Sequence, residues 1–340
     1  MRTRAGAHLS VLREEVLKRA YTIFQQIDRT AEYNTKKVLD AMRTCRISEA
    51  HFNVSFGYAY SDLGREKLDE LYAHVFGAER ALVRTQFVSG THALATVLFG
   101  ILRPGDQLIS LTGKPYDTMQ TVIGYEHESR GSLREFGILY DELPLQKGFV
   151  DLEGIARIIT PQTKAALIQR SRGYSERHPL SIEDIRQIST RVKDANPNCI
   201  VFVDNCYGEF VEEKEPIEAG ADMIVGSLIK NPGGGLAPTG GYIAGSHSCV
   251  ENAAYRLTAP GLGKEVGASL GVNRSFYQGL FMAPSVTAAA LKTAVYAAYI
   301  YENLGFKCHP TAEQKRHDII QAITLKTADA VKAFCLGIQA

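Results

Sequence analysis

Lys230 stands in the segment VGSLIKNPGGG, with Ser227 three residues before it and a run of glycines after it. An amine just beyond a buried apolar run meets desolvation, which disfavours its charge and leaves a nucleophile able to form a Schiff base with a carbonyl compound. The competing reading is a lysine that lays its stem along the surface and keeps its ammonium in water. Asp204 closes another apolar run, CIVFVD. An aspartate there either caps a turn or holds a proton on a pyridine nitrogen, which is what makes such a ring an electron sink. A third segment, SGTHALATVLFG, puts Ser89, Gly90 and Thr91 at the start of a helical pattern. Free amides at such a start either meet an ordinary serine cap or hold a phosphate.

These residues need elements to position them. Short β-rich runs recur at ALVRT, QLISL, FGILY, AALIQ, CIVFVD and DMIVG, most of them separated by segments with helical spacing. That alternation predicts an α/β fold with a mostly parallel sheet covered by helices on both faces. Ser181 with Asp184 forms a capping-box start, and Ile182, Ile185, Ile188 and Val192 follow on one helical face. In open α/β sheets ligands gather at the carboxyl ends of strands, where CIVFVD delivers Asp204. After the glycine-rich NPGGGLAPTGG come a strand, GYIAG, a helix near 248–258, and a long helix from about Pro284 to Glu302. Upstream, Leu9, Leu12, Val16, Ala20, Phe24 and Ile27 predict an amphipathic helix over 9–27. The stretch HFNVSFGYAYSDLGREKL reads as irregular before a helix from Glu66 to Phe76.

Composition narrows the function classes. The 340 residues carry 38 Lys+Arg against 37 Asp+Glu, so binding of nucleic acid by bulk charge is excluded. Hydrophobic residues are 45% and charged residues 22%, the balance of a globular chain. Cys45, Cys199, Cys206, Cys249, Cys308 and Cys335 form no CxxC pair, which argues against a zinc site and for reduced thiols. The N-terminus has no apolar signal core, and SVTAAALKTAVYAAYIY is interrupted by Lys292 and short for a membrane span. A cytoplasmic protein is expected. No segment fits GxxxxGK[ST]. GLGKEVG at 261–267 imitates a dinucleotide fingerprint, but its third glycine is one position late and no strand precedes it.

Lys230 and Asp204 together point to pyridoxal phosphate. At this point the sequence resembles a family. VFVDNC followed by GSLIKNPGG, with SGTHA upstream and KPYDTMQ between, resembles the fold-type-I pyridoxal-phosphate enzymes of cysteine and methionine metabolism. SFGYAYSDLGR, GKPYDTMQTVIG, IQRSRGY and IKNPGGGLAPTGGYIAG are similar to the methionine gamma-lyase-like group, also called aluminium resistance proteins.

The resemblance implies a carbon-sulfur lyase that acts on a sulfur-containing amino acid, in a homo-oligomer, dimer or tetramer, whose sites are shared between subunits. It implies Lys230 as the Schiff-base lysine, Asp204 as the pyridinium partner, and Gly90, Thr91 and Ser227 as the phosphate cradle. Tyr116 matches the aromatic that stacks on the ring and passes protons, and Cys206 lies against the opposite ring face. Each has a plainer rival: Tyr116 as a core aromatic, Cys206 as a packing residue, His92 as a structural histidine. Arg170 and Arg172 of IQRSRGY are candidates for a carboxylate or phosphate. Tyr58 matches the tyrosine of a Tyr-x-Arg pair that reaches the neighbouring subunit's phosphate, but Tyr60 stands at the arginine's place and Arg65 comes later. The family takes its substrate-carboxylate arginine from a C-terminal domain. After Pro284 this chain offers Arg316, in what reads as a solvent-facing helix, so the small domain reads as incomplete. The organisation expected is an arm and contact segment over 1–65, a cofactor domain over 66–283, and a linking helix with a partial small domain over 284–340. The alternatives are cystathionine β-lysis or transsulfuration, a silent protein that only oligomerises or sequesters cofactor, and, on GLGKEVG alone, a dinucleotide oxidoreductase.

Overall fold

The computed structural model describes residues 4–125 and 129–339, with side chains from Leu12 onward, so Leu9's place in the apolar stripe lies outside the described residues. The chain opens with α1 (Arg4–Thr44), longer than the expected 9–27. The buried stripe continues through Asn34, Val38, Ala41 and Cys45 at the same steps of three and four. Asn34 interrupts the hydrophobic pattern without leaving the core, because its Nδ2 donates to the carbonyls of Phe210 at 3.2 Å and Glu212 at 3.0 Å. An irregular segment follows. Helix α2 (Leu63–Phe76) then starts at Asp62, which accepts the Arg65 N–H, and stops at Gly77 in the left-handed conformation.

From there strands and helices alternate: β1 (Arg80–Arg84), α3 (Gly90–Ile101), β2 (Gln107–Ser110), α4 (Asp117–Ile123), β3 (Leu139–Glu142), α5 (Leu152–Ile158), β4 (Thr163–Gln169), α6 (Ile182–Ala195), β5 (Ile200–Asp204), β6 (Met223–Ser227), β7 (Gly241–Gly245) and α7 (His247–Leu257). The strands form one sheet in the order β1-β7-β6-β5-β4-β2-β3. Within it β7 runs antiparallel to both neighbours, and the other pairs are parallel. Strand β3 starts later than FGILY suggests, since a turn closed by Gly137 N–H on the Arg134 carbonyl takes up the first residues.

The strands read as unbroken apolar runs because both faces are buried. Val201 and Val203 of β5 face one core with Ile185, Ile188 and Val192 of α6, while Phe202 faces the other with Leu94 and Val97 of α3. The expected capping box at Ser181 and Asp184 is present.

Beyond the sheet lie α8 (Asn273–Asn303), β8 (Lys307–His309), β9 (Ala322–Thr324) and α9 (Ala328–Gln339). Helix α8 begins well before Pro284, which sits inside it, because Phe276, Tyr277 and Leu280 already pack into the core. By length and composition α8 could cross a membrane. Here it packs on α1, with Lys292 paired to Asp28 and Val295, Ala298 and Tyr299 against Leu12, Val16 and Ala20. The segment around Arg316 is not a solvent-facing helix. Arg316 is buried between β8 and β9, donating to Gln321 Oε1 at 2.5 Å and to the Ala294 carbonyl at 3.4 Å.

One buried ion pair joins α2 to the sheet. Asp69 Oδ1 accepts the Val83 N–H and Arg84 Nη1, both at 2.7 Å. Asp69→Ala leaves a buried guanidinium and a strand amide without their acceptor, so it is expected to lower the unfolding free energy by about 3–5 kcal/mol. Asp69→Ala with Arg84→Met is expected to recover much of that loss in denaturant titrations. A double variant no more stable than the single would show that the pair's charge is not what matters.

Candidate functional site

The carboxyl ends of β4, β5 and β6 and the N-terminus of α3 converge on a cavity of about 340 Å³. At the head of α3 the Ser89 Oγ accepts the His92 N–H at 3.0 Å, and the amides of Gly90 and Thr91 lie in the first turn, where the helix itself offers no acceptor. Ser227 closes β6 directly beside Gly90, where a Cβ would stand 3.4 Å from the Ser227 Cβ and 3.7 Å from Cys206 Sγ. The Ser227 hydroxyl is buried and has no hydrogen-bond partner among the described residues. An unpaired buried hydroxyl is costly. Together with two free amides at a helix head it makes a cradle for an anion, and the residues present fit the phosphate of a pyridoxal cofactor.

Lys230 follows in the turn after β6, its N–H bonded to the Ser227 carbonyl at 3.2 Å. Its Nζ lies 4.0 Å from the centroid of the Tyr207 ring, and Tyr207 holds a left-handed backbone (φ 70°) that non-glycine residues seldom adopt. Burial works against the ammonium, yet the groups around it, of which Asp204 is the carboxylate, hold its pKa above the usual lysine range, the reverse of the suppressed charge its sequence setting suggests. Asp204, at the end of β5, is buried, which raises its pKa. Lys230, the Cys206 N–H at 3.1 Å and Arg177 oppose that rise. Arg177 is itself pushed down to about 10, chiefly by burial, and its guanidinium is held by the carbonyls of Gln169, Ser171 and His178.

Tyr116 places its hydroxyl 3.4 Å from Thr91 Oγ1, which lies 3.1 Å from Thr118 Oγ1. Burial, then the neighbouring Asp204, raise the phenol well above its ordinary value, so it keeps its proton. Burial likewise keeps the Cys206 thiol protonated.

Other expected residues go elsewhere. Tyr58 is 78% exposed and outside the cavity. Its segment is clamped by Arg65, whose Nη1 donates to the carbonyls of Ala59 and Gly267 at 2.9 Å and whose Nη2 donates to Glu265 at 3.2 Å. Arg65 therefore holds this segment and does not line the cavity. Arg170 does meet carboxylates, but the protein's own: Glu212 at 3.1 Å and Glu215 at 3.5 Å. Arg172 donates to the carbonyls of Ser175 and His309. His92 accepts the Val88 N–H at 3.3 Å and lies edge-on to Phe87, the structural alternative. GLGKEVG falls in a loop after α7, with no strand before it. Sequence reasoning missed Tyr207, Gln169, Ser171 and Arg177; of these, Tyr207 had the one usable signal, its place in DNCYG right after Asp204. A larger cavity of about 510 Å³ beside His178 and His317 has neither the α3 amides nor the strand ends in its lining.

A family model described as methionine gamma-lyase matches residues 9–340. YnbB of Bacillus subtilis (strain 168), an uncharacterized protein, is 49% identical over 319 residues, which are 93% of this chain and 76% of that protein. The crystal structure of a carbon-sulfur lyase involved in aluminum resistance from Clostridium novyi NT superposes with a TM-score of 0.95 at 48% identity, over 98% of this chain and 80% of that one. The pyridoxal-5'-phosphate-dependent protein YhfS from Escherichia coli shares the fold at 15% identity, with a TM-score of 0.66 over 92% of this chain and 80% of its own. The α/β architecture is thus the fold-type-I arrangement, and the chain belongs to the methionine gamma-lyase family.

Proposed function

We propose that the protein is a pyridoxal-phosphate-dependent carbon-sulfur lyase that eliminates a thiol from the β or γ carbon of a sulfur-containing amino acid. The observation that carries this reading is the meeting of Lys230 and Asp204 in one cavity with the Gly90 amide, backed by a Ser227 hydroxyl that lacks a partner among the described residues. The family and the carbon-sulfur lyase relative support the choice of reaction.

The amides of Gly90 and Thr91 and the Ser227 hydroxyl would hold the phosphate, Asp204 the ring nitrogen, and Lys230 the aldehyde carbon, with Tyr116 and Cys206 bounding the ring. Bound there, pyridoxal phosphate supplies an electron sink that makes the bonds at the substrate's Cα labile. Lys230 Nζ accepts the Cα proton as general base. The Tyr116 hydroxyl, protonated in its buried setting, donates to the sulfur as the carbon-sulfur bond breaks and its electron pair stays on sulfur. Hydrolysis then leaves a 2-oxo acid and ammonia. Asp204, raised by its burial against the pull of Lys230, the Cys206 N–H and Arg177, would hold the ring nitrogen's proton. The reading includes a cytoplasmic homo-oligomer in which Tyr58, exposed beside Phe56 and Tyr60, reaches a neighbouring subunit's site.

With pyridoxal phosphate added, the purified protein is expected to show a visible absorbance band that borohydride converts to a stable adduct on Lys230. Lys230→Ala is expected to lack it. Incubation with methionine, cysteine or cystathionine is expected to release a 2-oxo acid, and the substrate that does so separates β- from γ-elimination. Folded wild-type protein that takes up no cofactor would overturn the reading. Ser227→Ala removes one hydrogen bond to a charged group and is expected to weaken cofactor binding about ten- to hundredfold. Because that hydroxyl has no partner among the described residues, thermal melts of the cofactor-free variant are expected to match wild type or exceed it. A marked loss of cofactor-free stability would contradict the cradle.

A further inference from the structure

Glu209, in the loop after β5, is fully buried and pairs with no lysine or arginine among the described residues. Its Oε1 accepts the Tyr242 hydroxyl of β7 at 3.0 Å, and its Oε2 has no partner among the described residues. Gly226 makes the room: a Cβ there would stand 2.4 Å from Glu209 Oε1 and 2.4 Å from Tyr242 Cε1. Gly226 directly precedes Ser227. Asn231, directly after Lys230, donates from Nδ2 to the Glu209 carbonyl at 2.9 Å. Glu209 thus touches both sides of the site: its carboxyl lies against the strand that ends in the phosphate cradle, and its backbone carbonyl is held by the turn that carries the lysine.

The titratable groups that face it are Tyr242 of β7, Tyr72 of α2, Cys206 and Glu215 of its own loop, and Lys230. The Arg170 guanidinium is turned to Glu212 and Glu215. Burial pushes Glu209 up to about 8, with Glu215 adding to the rise and its own amide, the Tyr242 hydroxyl and Lys230 opposing it.

We infer that Glu209 is a positioning residue for Lys230: uncharged, it leaves the lysine's proton to Asp204, and once ionised it adds a second anion that binds that proton more tightly. This rests on Lys230 as the reacting amine. The coupling is reciprocal, since each charge shifts the other's titration by the same factor. A proton released by Glu209 into solvent is the only chemical change, so no co-reactant is needed.

The test uses the cofactor-free full chain. Competitive labelling with trace acetic anhydride, read on the peptide that carries Lys230, follows the free amine across the neutral and alkaline range. In wild type the labelling rate is expected to rise with hydroxide activity, to fall behind by roughly threefold as the carboxyl ionises, and then to resume its rise. That break is expected near pH 8. Glu209→Gln is expected to show no break. Tyr242→Phe removes a donor that favours the carboxylate, so it is expected to move the break to higher pH at the same size, an outcome that a purely structural role for Glu209 would not give. A wild-type profile without a break, or a break that survives Glu209→Gln, overturns the inference. If Glu209→Gln does not fold, the Tyr242→Phe shift decides alone. Cofactor plays no part in this readout, so failure of borohydride trapping would sink the lyase reading while leaving the coupling standing, and the reverse holds equally.

Discussion

A parallel sheet covered on both faces has nowhere to put polar chemistry except at its strand ends, and this constraint organises the molecule. Strands β4, β5 and β6 run the same way, so Gln169, Asp204 and Ser227 emerge on one edge. Ile168 and Val203, directly before Gln169 and Asp204, pack into the apolar core. The helices α3 and α4 then return their N-termini to that edge, and the site consists of what these strands and helices can deliver there.

The loops beyond those ends are held by charges that are themselves inside the protein. Arg170, with no exposed surface, donates to Asn205 Oδ1 at 2.9 Å and pairs with Glu212 and Glu215, while Glu212 also meets His317 at 3.1 Å. Burial raises the Glu212 carboxyl, but His317 and Arg170 overcome that and hold it below its usual value. Removing one member of such a cluster strands the others, so the loop that carries Cys206, Tyr207 and Glu209 has little freedom to rearrange. Asp318, which accepts the Ser171 hydroxyl at 2.8 Å and the Arg172 N–H at 3.1 Å, fastens the C-terminal segment to the same loops.

The sheet was legible because double burial writes itself as continuous Val, Ile and Leu, and the runs that end in Asp204 and Ser227 marked the strand ends. Where a position is inside but not hydrophobic, the pattern failed. Asn34 hid the second half of α1 by satisfying two carbonyls, and Pro284 disguised the middle of α8 as its beginning. Arg316 sits among charged neighbours in the sequence and looks solvated, although Gln321 and a helix carbonyl take its donors. Glu209 depends on a tertiary hole left by Gly226, of which a linear reading carries no sign, and Tyr207 is marked in the sequence only by its place in DNCYG after Asp204.

The Arg65 clamp has a thermodynamic consequence. Gly267 N–H bonds the Tyr58 carbonyl at 3.1 Å, Leu270 N–H bonds Ser55, and Arg65 ties the span between to Glu265 and Gly267. A free loop would surrender about 1–2 kcal/mol of conformational entropy per residue on becoming ordered against another surface. Here that loss is incurred when the single chain folds, so Phe56, Tyr58 and Tyr60 meet whatever covers them as a preformed ridge whose contact enthalpy is not consumed in ordering it.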